Sequence, residues 1–128
     1  MASIHVLKNT LHETVLKVYG TSNSGDTIDI ALDGPKIANS GQQFIGTQSQ
    51  VHIKELYWGA KKDKQIDFSR IDDPVANTVH GHYYLINGGH YVFVGFTDNV
   101  YANSNIRITS DGPFHVILKL HKNGYVNI

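Results

Sequence analysis

Cysteine is absent from the 128 residues, which excludes disulfide staples, thiolate metal centres and cysteine nucleophiles and leaves the compartment open. No stretch approaches the roughly 20 consecutive apolar residues of a membrane-spanning helix, and Met1–Thr10 lacks the basic segment and long apolar run of a secretion signal. The chain therefore reads as soluble, without a targeting segment. Net charge is missing too. Eleven basic side chains cancel eleven acidic ones, so the electrostatic footprint of a nucleic-acid or membrane-surface binder is not there. Charged residues are only 17% of the chain, and a neutral, charge-poor surface promotes association. This is a first sign that part of the surface is covered in an assembly.

What is present is strand pattern. The length suits one domain, and a hydrophobic content of 41% suits a globular core. Thr14–Tyr19 places Leu16 and Val18 on one side, and Asp26–Leu32 places Ile28, Ile30 and Leu32 opposite Asp29, the period of two of a half-buried strand. In Val51–Gly59 the apolar phase slips from Val51 and Ile53 to Leu56 and Trp58, which predicts a β-bulge near Lys54-Glu55. The charged turn Lys61–Lys64 then leads to Gln65–Ser69, and this pair reads as a hairpin. Val79–Ile86 and His90–Phe96, joined by Asn87-Gly88-Gly89, give the strongest hairpin signal in the chain. Asn105–Thr109 is a short strand, Ser110–Pro113 a turn, and Phe114–Leu120 alternates throughout.

No window of eleven residues sustains helical spacing. About eight short strands separated by Gly, Pro, Asn and Asp predict an all-β, single-domain antiparallel β-sandwich, with the jelly roll among its forms. Residues 1–10 are expected as an extended N-terminal arm and residues 11–128 as the sandwich.

The eight histidines are the first candidates for chemistry, as metal ligands or general bases. His80 and His82 stand two apart, a spacing that shares a strand face. Pairing across the Asn87–Gly89 turn would set His90 about 13 Å from His82, too far for a common metal. A third ligand would have to come from His52 or His115. Strand histidines facing solvent or neighbouring polar groups are the simpler reading. Asp72-Asp73, the one adjacent acidic pair, precedes Pro74 and reads as a turn former. No nucleophile elbow or phosphate-cradling glycine loop occurs. No catalytic, cofactor-binding or metal-binding residue is assigned, and the chain is expected to be non-enzymatic.

Aromatics supply a different signal. Tyr57 and Trp58 occupy opposite faces, as do Tyr83 and Tyr84, so one of each pair lies outside the core. Residues 79–96 are apolar on both faces, with Val92, Val94 and Phe96 against Tyr91 and Phe93, which predicts cover from both sides, the second side being another subunit.

Ile4–Thr10 with Glu13–Tyr19, and Ile117–Tyr125 at the other end, resemble small virion structural proteins of tailed bacteriophages, especially those infecting marine bacteria. The shared segments are strand-like, and no functional residue is carried over. The resemblance implies a capsid decoration or cement protein that stabilises the phage head by protein–protein contacts. Its partners would be the major capsid protein or another virion protein, together with copies of itself, the trimer being favoured. It would bind neither nucleic acid nor membrane, and it would sit on the capsid surface after assembly in the host cytoplasm. Ala2–Thr10 would then add to the sheet edge of a neighbour. A carbohydrate-binding module stacking a sugar on Tyr57, Trp58 or Tyr101 is the alternative from another class, and a tail or baseplate accessory protein is a third.

Overall fold

Alternating apolar residues commit most of this chain to strands that need two facing sheets to cover them. The computed structural model describes residues 2–45, 48–71, 79–92 and 102–127. Eleven strands are found there, and no helix: β1 Ala2–Asn9, β2 Glu13–Gly20, β3 Thr27–Ile30, β4 Gln42–Gln43, β5 Gln50–Ala60, β6 Gln65–Ile71, β7 Val79–Ile86, β8 Gly88–Val92, β9 Asn105–Ser110, β10 Phe114–Asn123 and β11 Val126–Asn127. They form a five-stranded sheet in the order β1-β2-β10-β5-β8, a four-stranded sheet in the order β3-β9-β6-β7, and a small β4–β11 pair.

The pairing has one underlying plan. β2 pairs with β10, β3 with β9, β5 with β8 and β6 with β7, all antiparallel. The chain is thus a long antiparallel ribbon doubled back at β6–β7, and its successive pairs alternate between the two sheets. This is the double-sheet jelly roll, with β1 added beside β2 as a fifth strand.

Inward residues close the sandwich. Leu16, Val18, Ile53, Leu56, Val116, Leu118 and Leu120 from the larger sheet meet Ile30, Ile66, Phe68, Ile106 and Ile108 from the smaller. Leu32 and Ile37, from the connection after β3, join the same core. Full burial of such a side chain contributes roughly 1.5–3 kcal/mol, which is why the alternation fixes which face of each strand looks inward. The bulge expected near Lys54-Glu55 is present: Lys119 pairs with Glu55 and Leu120 with Ile53, leaving Lys54 as the extra residue.

Three expectations change. Residues 2–9 are extended, but they are not a separate arm: they pair with β2 from Ala2 opposite Gly20 to Asn9 opposite Thr14. Val51–Gly59 and Gln65–Ser69 are not a hairpin, because β5 and β6 belong to opposite sheets and the Lys61–Lys64 turn crosses between them. Likewise β7 and β8 do not pair with each other. Asn87, with φ 59°, is a corner where the chain leaves the smaller sheet and enters the larger.

Trp58 is the physical reason for the third correction. Its indole N–H donates to the Ile86 carbonyl, Nε1 to O 3.1 Å, and a Cβ on Gly89 would stand 2.6 Å from its Cζ2. Gly89 is glycine to admit this ring beside the corner; it does not tighten a hairpin. The Ala60 amide also donates to the Asn87 carbonyl at 2.6 Å, so β5 draws the corner onto the larger sheet.

Candidate functional site

The outward face of the larger sheet carries its chemistry in rows set by register. His5 lies opposite Lys17, Lys17 opposite Ile117, Ile117 opposite Tyr57, and Tyr57 opposite His90. One row along the strands, Ser3, Tyr19, His115, Gly59 and Gly88 follow the same order.

Two ring stacks stand on this face. Tyr57 and His90 lie 3.9 Å apart between centroids at 6°, and His5 and Tyr19 lie 5.5 Å apart at 10°. Glu55 anchors the first stack. Its Oε1 accepts from the Tyr57 hydroxyl at 2.8 Å and from His90 Nε2 at 2.7 Å. The hydrogen bond from Tyr57, then that from His90, holds the Glu55 carboxyl below the ordinary carboxylate range. The same bond pushes the Tyr57 hydroxyl up. The effect is mechanical: a charge-assisted acceptor fixes both rings in one orientation.

Beside the second stack, a cleft of about 800 Å³ opens over the ends of three strands. β2 and the loop after it give Lys17, Tyr19, Gly20 and Thr21; β10 and its turn give Pro113, Phe114, His115 and Ile117; β5 and its turn give Gly59, Ala60 and Lys61. A Cβ on Gly59 would clash with the His115 imidazole. The ring therefore occupies the place a side chain at residue 59 would take.

The structure separates the sequence-predicted histidines. His90 is in the larger sheet, while His80 and His82 are in β7 of the smaller. Within β7, Phe68 pairs with Tyr83 and Ser69 with Gly81, so His82 is the extra residue of a bulge. His115 faces the cleft, and His52 is buried opposite His121. Among the described residues, no three His, Asp or Glu side chains gather as a metal-binding group. Asp72-Asp73 and Tyr101 lie outside the described residues. Tyr57 is exposed, as its place on the strand predicts, but its ring is already stacked; Trp58 is committed to the Asn87 corner.

Comparison with protein-family models, curated proteins and solved structures finds no match. The site must be read from its own geometry.

Two buried cations were not singled out by the sequence reading. Arg70 is 1% exposed, and it reaches the Ser104 and Val51 carbonyls at 3.0 and 2.8 Å, linking the sheets. Lys122 is 2% exposed and donates to Asn9 Oδ1, the Ile37 carbonyl and Gln42 Oε1. A signal for both was available. Arg70 continues the inward phase of Ile66 and Phe68, and Lys122 that of Leu118 and Leu120.

Exposed apolar side chains show a third pattern. Among the described residues, Val6, Leu7 and Leu11 lie on β1 and its turn, while Tyr84, Ile86, Tyr91 and Val92 lie on β7 and β8. Tyr57, the remaining large one, stacks on His90 of β8. β1 and β8 are the first and last strands of the larger sheet. The apolar surface is thus divided between opposite flanks.

Proposed function

We propose that this chain is a non-enzymatic virion structural protein of a tailed bacteriophage: a capsid decoration protein that stabilises the head through contacts with the major capsid protein and with copies of itself. The observation that carries the reading is the collection of exposed apolar side chains on two opposite flanks of the jelly roll. Tyr84 at 66%, Ile86 at 60% and Leu7 at 55% exposure are costly in water and are accounted for by partners on both sides.

Jelly rolls serve in viral capsids and in lectins, so the fold is compatible with this role without deciding it. The terminal segments that resemble virion proteins become β1, β2 and β10, three neighbouring strands of one sheet. The partner surface is then a sheet flank, and the proposal no longer needs a detached arm. A fixed β1 edge can still extend a neighbour's sheet through its main chain.

A pelleting assay with purified capsids tests the proposal. The wild-type protein is expected to sediment with capsids, and the pairs Val6→Lys with Leu7→Lys, and Tyr84→Lys with Ile86→Lys, each to abolish sedimentation while the free protein keeps its unfolding midpoint. Undiminished sedimentation of both variants would overturn it.

A further inference from the structure

We propose that the cleft over β2, β10 and β5 binds an anionic saccharide, a short glycan chain bearing uronate or sulfate groups. This site is separate from the two apolar flanks, and the inference does not depend on the capsid reading.

The lining decides the class of ligand. Lys17 comes from β2 and Lys61 from the turn that follows β5, and His115 lies between them on β10. None of the described lining residues is acidic. The hydroxyls of a neutral sugar both donate and accept, and carboxylates or carboxamides are the side chains best able to take their protons. Here the lysines only donate, so a ligand that brings acceptors and negative charge is favoured. Glu55, further along this face on β5, is already engaged by Tyr57 and His90.

The floor decides between a saccharide and a peptide. The cleft lies over the face of a sheet whose three strands are paired with one another, so no free strand edge invites main-chain addition. Exposed His115, laid over Gly59, gives a flat ring, and Ile117, Ala60 and Pro113 give apolar surface around it. Rigid pyranose rings have apolar C–H faces that suit such a floor and lose little conformational freedom on binding. A volume of about 800 Å³ accommodates a short oligosaccharide. Thr21 adds a hydroxyl-bearing side chain to the lining.

Titration calorimetry of the full chain at low ionic strength, where charge contacts are least screened, tests this. The probes are a heparin-derived hexasaccharide, hexagalacturonate, maltohexaose and hexaglutamate. At least one anionic saccharide should bind, with maltohexaose and hexaglutamate weaker by about tenfold or more. The double variant Lys17→Gln with Lys61→Gln, and separately His115→Ala, should lose about tenfold in affinity with unchanged thermal midpoints. No heat with either anionic saccharide would overturn the proposal. So would equal affinity for maltohexaose or hexaglutamate, or affinity that survives both sets of substitutions.

Discussion

The Lys122 ammonium near the end of β10 donates to the side-chain oxygen of Asn9 at the end of β1, Nζ to Oδ1 2.7 Å, across 113 residues of sequence. It also donates to the Ile37 carbonyl at 2.9 Å and to Gln42 Oε1 at 2.8 Å. One buried cation thereby joins β1, the connection after β3, β4 and β10. The N-terminal segment is held by this contact as well as by its ladder with β2. Its exposed residues Val6 and Leu7 are consequently presented from a fixed position.

Replacing Lys122 by Met should lower stability by about 1–3 kcal/mol, because three acceptors lose their shared donor inside the protein. Urea unfolding measures this. Wild-type stability in the variant would mean that the acceptors find other donors and that Lys122 is not the tie described.

Lys122 also sets an alkaline pH dependence. Burial lowers its pKa from 10.5 to about 8, so between those values the unfolded chain binds more protons than the folded one and stability rises with pH. Burial, followed by the charge of Asp33, pushes the Tyr125 hydroxyl up from its ordinary value of 10.0. Above pH 10 the folded chain therefore holds the proton that the unfolded chain releases, and stability falls. Unfolding free energies measured across this range should climb from pH 8 and turn over near pH 10. In Lys122→Met the climb should vanish and the fall remain.

The Asn87 corner should be sensitive to a single methyl group. Gly89→Ala places a Cβ 2.6 Å from Trp58 Cζ2, and the ring cannot yield freely because its N–H is bonded to Ile86. Overpacking of this kind costs about 1–3 kcal/mol. Thermal unfolding and the near-ultraviolet signal of the one tryptophan should both shift. A neutral substitution would show that Trp58 does not hold the corner.

Much of the fold was legible because side-chain alternation reports burial directly. The inward residues of β2 and β10 are those the period of two selects, and the slip at Lys54-Glu55 is a real bulge. Tyr57 and Trp58 also divide outward and inward as adjacent strand residues must. What the pattern could not convey is which strand lies beside which. Asn87-Gly88-Gly89 carries the composition of a hairpin turn, yet a positive φ and two small residues serve equally well where a strand must change sheets beside a large ring. The Lys61–Lys64 turn misled for the same reason.

The candidate site was less legible. His90 and Tyr57 are far apart in sequence and meet only because β8 pairs with β5. Lys17, Lys61 and His115 come together only through the β2-β10-β5 order, which follows from doubling the whole ribbon. Arg70 and Lys122 could have been found, since each is a charge on the apolar phase of its strand.

Image reconstruction at side-chain resolution of phage heads carrying this protein tests the central claim most directly. The account predicts ordered density on the capsid exterior, with Val6, Leu7 and Leu11 buried against one neighbour and Tyr84, Ile86, Tyr91 and Val92 against another. Heads that bind no ordered copy, or copies whose two flanks both face solvent, would contradict it.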